Sequence, residues 1–224
     1  ALVRTLGGVA GVEVVQLFAR NKERGMEVAS LVGCEWECDE EKLAEADIYI
    51  ISVSDRAVAD VARSLPFPEG AIVVHTAGSV PMSAIPERGG RRGILYALQS
   101  FTKGRVIRLD KVPLFIEADS AETRDSLMAF ARLISSQVEY ADSARRKHIH
   151  LAGVFVNNFT NHMYHIGAEV VEDEGLSFDV LKPLIEETAS KAVATNDPST
   201  VQTGPAVSGD SGVTAEHIAM LKED

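Results

Sequence analysis

The stretch SARRKHIHLAGVFVNNFTNHMYHIGAEVVEDEG, residues 143–175, predicts one long helix. Its apolar residues recur at steps of three and four, the spacing that places side chains on one stripe of an α-helix. The stripe consists of Ile149, Ala152, Phe155, Val156, Phe159, Met163, Ile166 and Val170. A stripe of this length predicts that one side of the helix is buried.

The other side of this helix is polar but carries no charge. From His148 to Ala168 the sequence contains no Asp, Glu, Lys or Arg, and its polar residues include His150, Asn157, Asn158, Asn161, His162, Tyr164 and His165. Uncharged amides and imidazoles indicate a shielded surface, where each unpaired polar group would cost about 1 to 3 kcal/mol. Their partners are either a ligand, or a neighbouring helix, a second subunit or buried water.

Composition limits the class of protein. With 224 residues, 46% of them hydrophobic, the chain can bury a sizeable core in one large domain or two small ones. A formal net charge of −11 argues against a nucleic-acid partner, and we interpret basic runs such as residues 145–147 as solvated helix ends. Two cysteines, Cys34 and Cys38, are too few for a disulfide framework or a four-ligand metal site.

The sequence shows no signal peptide and no apolar run of membrane length, and the polar residues between Asn157 and His165 argue against a membrane span. We therefore expect a cytoplasmic protein that has no membrane partner and no metal. The chain begins at Ala1 within a helical pattern and stops at Asp224 after another, so we expect both ends to be truncated.

Strand-length apolar runs alternate with helical patterns in the first 142 residues. The sequence predicts strands at 12–19, 46–53, 71–75, 93–98, 112–117 and 137–140, and helices at 23–32, 55–65 and 121–134. Strands that are apolar on both faces predict a parallel sheet covered on both sides, and therefore a doubly wound α/β domain over residues 1–142. Residues 143–224 predict an all-α domain: the long helix, a second helix at 179–195, a loop at 196–212 and a last helix from Val213.

Ligands bind at the carboxyl ends of the strands in an open parallel sheet, so the residues that follow the strands are candidate cofactor ligands. Arg20 and Asn21 follow the first strand and suit a 2′-phosphate, which favours NADP over NAD; a surface arginine at a strand end is the alternative. Ser52, Val53 and Ser54 follow the second strand at a predicted helix N-terminus, where backbone N–H groups can meet a ribose or a phosphate.

The third strand is followed by Thr76, Ala77, Gly78 and Ser79, in the region where a nicotinamide ring would lie. The sequence contains no G-x-G-x-x-G, the usual dinucleotide fingerprint. We expect a strand earlier than residues 12–19, together with the glycine-rich turn that follows it, to precede Ala1.

A polar, glycine- and proline-containing loop at residues 202–210 is a second candidate region. Loops of this length between helices are often functional, and its Thr203 and Gly204 combine a hydroxyl with a permissive backbone. On the preceding helix, Thr188 and Lys191 lie at helical spacing with Glu187. They either face the same cleft, as candidate substrate ligands, or belong to a solvated stripe.

Five motifs in order carry a family resemblance: VVHTAGSVPM (73–82), LQSFTK (98–103), HIHLAGVFVNNFTNHMY (148–164), LIEETASK (184–191) and QTGPAVSGD (202–210). With them the chain resembles a bacterial family of Rossmann-like proteins that have a C-terminal domain of unknown function. Members are often labelled NADP oxidoreductases, deazaflavin coenzyme-dependent. The chain is more distantly similar to 3-hydroxyisobutyrate dehydrogenase, 6-phosphogluconate dehydrogenase and pyrroline-5-carboxylate reductase.

The distant resemblance implies a catalytic site on the long helix. In 3-hydroxyisobutyrate dehydrogenase the equivalent helix carries a catalytic Lys three residues before an Asn-Asn pair; here the pair is Asn157-Asn158, but the Lys position holds Val154. A reductase would therefore need another proton donor. The candidate donors are the histidines His150, His162 and His165, because an imidazole titrates near neutral pH. The asparagines Asn157, Asn158 and Asn161 would then orient the substrate.

The resemblance and the residues together predict an NADP-dependent oxidoreductase that binds a small polar substrate between its two domains. The alternative is a non-catalytic nucleotide-binding sensor or regulator with the same fold, which the valine at the lysine position would explain. In either case the uncharged helix face predicts a homodimer through the helical domain.

Overall fold

The computed structural model describes residues 2–87, 90–102, 105 and 107–221. Lys103 of the motif LQSFTK (98–103) therefore lies outside the described residues. The chain forms two compact units, the first ending at Phe159 and the second beginning at Thr160. The domain boundary at 142/143 stays a prediction.

The described residues of the first unit form two sheets. Strands β1 (Gln16–Phe18) and β2 (Glu35–Glu37) pair in parallel. The larger sheet has the order β3 (Ile48–Ile51), β4 (Ile72–His75), β5 (Arg91–Ala97), β6 (Leu114–Ala118) and β7 (Val138–Tyr140). This confirms the predicted α/β class with a mainly parallel sheet. One pairing differs: β6 runs antiparallel to β5, and β7 is parallel to β6. The described part of the β5–β6 connection contains no helix that would carry the chain back for a parallel strand.

The helices of the first unit are α1 (Leu2–Leu6), α2 (Lys22–Val32), α3 (Val58–Ser64), α4 (Ala121–Ile134) and α5 (Ser143–Gly153). Side-chain caps define their starts: Ser120 accepts a hydrogen bond from the Thr123 N–H in α4, and Asp142 accepts one from the Arg145 N–H in α5. The first predicted strand is much shorter than residues 12–19. Strand β2 was not predicted, because its sequence Glu-Trp-Glu is not an apolar run.

Successive residues of β5 point alternately into two different hydrophobic cores. Leu95 faces the layer that contains Leu127 and Ala131 of α4, and Ile94 and Tyr96 face a layer with Ile149 of α5. The pairing registers place Ile51, His75, Ile94 and Glu117 in one row across four strands. Because paired residues point to the same face, His75 and Glu117 lie on the face that α5 covers.

The predicted helix at 143–175 is observed as α5, a π-helical segment (Val154–Phe159) and α6 (Thr160–Asp173). In the second unit α6 is followed by α7 (Lys182–Ala194), α8 (Pro205–Ser208) and α9 (Ser211–Met220). The predicted loop at 196–212 is therefore partly helical, because Pro205 can occupy the first turn of a helix. None of the helices in the described ranges has the length and apolar character needed to cross a membrane.

The prediction that the apolar stripe is buried is wrong for this chain by itself. Its exposed members are Phe155 (58%), Val156 (75%) and Phe159 (49%) in the first unit, and Met163 (56%), Ile166 (36%) and Val170 (47%) in the second. No described residue of the second unit is buried. The spacing correctly indicated a helix with an apolar face, but spacing alone does not show which molecule covers that face.

Candidate active site at the carboxyl edge of the sheet

A cleft of about 220 Å³ opens at the carboxyl ends of β3, β4 and β5. Ser52 after β3 and Thr76 after β4 line it, as the sequence placed them, together with Tyr96 and Gln99. The remaining lining is apolar: Leu2, Leu95, Ala97, Phe101, Leu109, Leu114 and Ile134. The cleft therefore has a few hydroxyl and amide groups on an apolar wall, the usual composition of a small-molecule site.

The loop after β4, residues 76–81, forms one side of this region and is named the Gly78 loop below. His75, which is fully buried, holds its backbone at two points. The Ala77 N–H donates to His75 Nδ1 at 3.2 Å, and His75 Nε2 lies 3.4 Å from the Pro81 carbonyl oxygen. Because Nδ1 accepts, the ring proton is assigned to Nε2, which donates to Pro81. Burial is the main cause that lowers the pKa of His75 from 6.5 to about 4, and the Arg146 cation contributes to this shift, so the ring is neutral near pH 7.

A second buried side chain, Arg146 of α5, holds the same loop. Its guanidinium pairs with Glu117 of β6 and donates to the Val80 carbonyl oxygen. Ser143 Oγ donates to both carboxylate oxygens of Glu117, at 2.8 and 2.9 Å. Arg146 has no solvent exposure. The interpretation of residues 145–147 as a solvated helix end is therefore wrong for Arg146, because a carboxylate from β6 replaces its water.

One helical turn after Arg146, the His150 ring lies against the Gly78 loop. A Cβ atom at Gly78 would be 2.5 Å from His150 Nδ1, a distance that only the absence of a side chain permits. The same Nδ1 is 3.2 Å from Tyr96 Oη. Burial raises the pKa of Tyr96, so its phenol keeps the proton at neutral pH and can donate it to the imidazole.

Tyr96 is the residue that the sequence analysis missed. It is 8% exposed, it lines the cleft, and it connects the cleft to His150. In the sequence, Tyr96 is recognisable only as a polar aromatic residue near the carboxyl end of an apolar strand. That feature does not indicate a functional role until the register with α5 is known.

The other predicted residues around this edge have different surroundings. Ser79 Oγ donates to the Asp55 carboxylate, and Ala77 is buried, so it presents only its backbone. Val53 is 42% exposed, and Ser54 starts a short 3-10 turn without a side-chain cap. Their assignment as cofactor ligands stays a prediction.

At the carboxyl end of β1, Arg20 is exposed, and Asn21 caps α2 by accepting from the Arg24 N–H at 2.9 Å. The carboxamide oxygen of Asn21 is thus already used within the fold. Trp36 lies directly behind this segment and donates its indole N–H to the Ala19 carbonyl oxygen at 3.0 Å. Trp36 is the single tryptophan of the sequence, so tryptophan fluorescence monitors the surroundings of this segment.

Asn157 and Asn158 are exposed within the π-helical segment, beyond the turn that carries His150. Within the second unit, Asn161, His162 and Thr203 are exposed, and Gly204 has a φ of 100° before the first turn of α8. The expected shielding of these asparagines and of His162 is therefore absent in this chain by itself.

Two further predicted residues have partners within their own helix. Thr188 donates to the Leu184 carbonyl oxygen at 2.8 Å, and Lys191 pairs with Glu187 at 2.9 Å, as a solvated stripe would. The roles assigned to the exposed asparagines, His162, Thr188, Lys191, Thr203 and Gly204 stay predictions. In the described ranges no cluster of three or more His, Cys, Asp or Glu side chains could hold a metal.

Comparisons with known proteins agree with this architecture. Residues 112–224 match the family model of a domain of unknown function, DUF2520. A Bacteroides fragilis protein named "putative NADP oxidoreductase" is 40% identical and superposes with a TM-score of 0.89, over 100% of this chain and 86% of its own. No curated protein matches the sequence.

Two more solved structures share the fold at lower identity. A Thermotoga maritima protein has a TM-score of 0.80 at 20% identity, over 97% of this chain and 86% of its own. A pyrroline-5-carboxylate reductase from Coxiella burnetii has a TM-score of 0.56 at 12% identity, over 99% and 86%.

The buried, neutral His75 predicts a pH dependence of stability. Its folded pKa of about 4 lies below the ordinary value of 6.5, so the unfolded chain binds a proton that the folded chain excludes. Stability should fall as the pH drops from 6.5 to about 4 and should not depend on His75 above that window, with a contribution on the order of 3 kcal/mol. In His75→Asn, whose amide oxygen can still accept from Ala77, this contribution should be missing.

Urea unfolding of both proteins across this window, followed by Trp36 fluorescence, measures the difference. His217→Asn, at an exposed position of α9, is the matched control and should behave as the wild type. Parallel curves for the wild type and His75→Asn would contradict the assignment.

Proposed function

We propose that this chain, which belongs to the DUF2520 family, is an NADP-dependent oxidoreductase acting on a small polar substrate. One observation carries the proposal: Ser52, Thr76 and Tyr96 line a cleft at the carboxyl edge of the sheet, and His150 is hydrogen-bonded to Tyr96. The Bacteroides fragilis relative, 40% identical over the whole of this chain and named "putative NADP oxidoreductase", supports the choice of cofactor. A deazaflavin partner, which the sequence resemblance implies, stays an expectation.

The residues present suit parts of NADP. Arg20 offers an exposed guanidinium to a 2′-phosphate, and Ser52 and Thr76 offer hydroxyls in the cleft. The space beside Gly78 is filled by the His150 ring, so this glycine brings the imidazole, and not the cofactor, close to the loop backbone. When bound, the cofactor supplies or accepts a hydride.

The chain itself has to supply a proton if the substrate is a ketone or an imine that becomes an alcohol or an amine. His150 is the donor that we assign, because an imidazole is a common general acid and this one is hydrogen-bonded to Tyr96, which lines the cleft. Tyr96 holds His150 Nδ1, which fixes the ring orientation and leaves Nε2 to serve the substrate. At the position of the dehydrogenase lysine, Val154 offers no proton, so the role falls to this histidine.

The substrate is small because the cleft is small, and it is recognised through hydroxyl and amide groups. No charged side chain lines the cleft in the described part of the chain. A carbonyl or imine compound that binds without an ion pair in the cleft fits these groups better than one that needs a buried counter-charge there.

We also propose that two copies of the chain associate through the helical region. The side chains Met163, Ile166 and Val170 form an exposed apolar stripe on α6, and the described residues contain nothing that buries them. No charged residue occurs from His148 to Ala168, so the part of the stripe that contains Met163 and Ile166 offers no charge with which to select a different partner. A two-fold dimer, in which the same patch meets itself, suits such a surface.

Cofactor binding to the full-length protein tests the proposal first. NADPH should quench Trp36 fluorescence and bind more tightly than NADH. Arg20→Ala should weaken NADPH binding by roughly ten-fold and leave NADH unchanged, because it removes one charge-assisted contact to the 2′-phosphate. The matched control is Arg124→Ala on α4, an exposed arginine away from the cleft. Failure of the wild type to bind either nucleotide would remove the proposal.

Turnover separates an enzyme from a sensor. NADPH oxidation should be detected with members of a panel of small ketones, keto acids and imines, and His150→Gln should lower kcat by about 10²-fold or more. Asn157→Ala tests the predicted substrate contact in the same assay. His148→Gln, at an exposed position of the same helix, should retain the wild-type rate. Unchanged rates in both His150→Gln and Asn157→Ala would contradict the site, and tight binding without turnover of any compound would favour the sensor.

The dimer has its own test. Sedimentation velocity should give a dimer for the wild type and a monomer for Val170→Glu, since a charge on the stripe must be desolvated on association. Glu172→Lys, a charge change at a residue that is already polar and exposed, is the control and should remain dimeric. A monomeric wild type at micromolar concentration would overturn this part of the proposal.

A further inference from the structure

We infer that Arg146 is a positioning residue that fixes the Gly78 loop against His150 and thereby determines where the proton donor lies. The catalytic consequence rests on the proposed function. The structural part, the fixing of the loop, does not, and it can be tested without cofactor or substrate.

Arg146 joins three separate segments. Its guanidinium pairs with Glu117 in β6, lies 3.4 Å from Ser143 Oγ in its own helix, and donates to the Val80 carbonyl oxygen in the Gly78 loop. Arginine and carboxylate are both withdrawn from water, with 0% and 7% exposure. A buried ion pair adds little net stability compared with apolar residues of the same volume, so its distinctive contribution here is a defined geometry.

The Gly78 loop is held by His75, by Arg146 and, through Ser79, by Asp55, and only Arg146 belongs to α5. His75 binds Ala77 N–H and the Pro81 carbonyl oxygen, but it belongs to the strand that leads into the loop, so those bonds shape the loop without tying it to α5. The bond from Arg146 to Val80 reaches across from α5. It therefore sets the position of the loop relative to the helix that carries His150.

Arg146 and His150 are four residues apart, so both point from the same face of α5. While Arg146 holds Val80, the His150 ring is placed against Gly78 and within 3.2 Å of Tyr96 Oη. A loop released from Arg146 can move away from the helix, and the imidazole then loses the surface that orients it. Displacement of a reacting group by about 1 Å is enough to lower a rate 10²-fold.

Hydrogen exchange tests the loop directly. In Arg146→Met, backbone amides of residues 77–80 should exchange about ten-fold faster than in the wild type, as expected for local opening. The neighbouring Arg145 is exposed and pairs with Glu139 at 3.1 Å, so Arg145→Met is the matched control and should exchange as the wild type. If Arg146→Met does not fold, Glu117→Gln removes the counter-charge but keeps an acceptor, and should also accelerate exchange. Wild-type protection of the loop in a folded variant overturns the inference.

Kinetics and rescue distinguish positioning from simple destabilisation. In Arg146→Ala, kcat should fall about 10²-fold while the NADPH dissociation constant changes less than about two-fold. Guanidinium ion, added below the concentration that begins to unfold the protein, should restore both kcat and loop protection; tetramethylammonium should restore neither. A loss of kcat with the loop still protected, or without rescue by guanidinium, contradicts a positioning role. If the wild type binds no NADPH, the proposed function fails, and the exchange result alone decides the inference.

Discussion

The burial of the Arg146 cation fixes how α5 packs on the sheet in the first unit. A guanidinium removed from water costs several kcal/mol unless a carboxylate and further acceptors replace its hydration. Arg146 receives these from Glu117 and Val80, which belong to a strand and a loop far apart in the sequence. Because the two terminal nitrogens of Arg146 find these partners only where the strand and the loop converge, α5 has one defined position over the sheet.

The sheet register explains why the partners converge there. His75, Ile94 and Glu117 occupy one row across β4, β5 and β6, and all three point toward α5. Strand spacing of about 4.8 Å puts the histidine and the glutamate on either side of one isoleucine. The Arg146 cation lies close enough to help keep His75 uncharged. The same row thus supplies a charged anchor for the helix and a neutral anchor for the Gly78 loop.

The sequence was informative wherever a single segment determines the outcome. Apolar runs located most strands of the large sheet, and the helix at 121–134 is observed with the predicted bounds. Ser52 and Thr76 could be placed at the cleft because they directly follow such runs. Tyr96, Arg146 and the antiparallel β6 could not be predicted, since each depends on a register between segments. An arginine between Arg145 and Lys147 has no local feature that distinguishes it as buried.

The exposed apolar stripe is a further feature that one segment of sequence does not explain by itself. A helical unit in which no described residue is buried gains little from the hydrophobic effect to offset the entropy of ordering its chain. Side chains such as Met163 and Val170 are exposed, and the dimer that we propose would cover them. From His148 to Ala168 this helix carries only apolar and neutral polar residues, and water contact is unfavourable for the apolar stripe among them. In the proposed dimer, covering the apolar stripe would also shield the neutral asparagines and histidines that lie beside it on that segment.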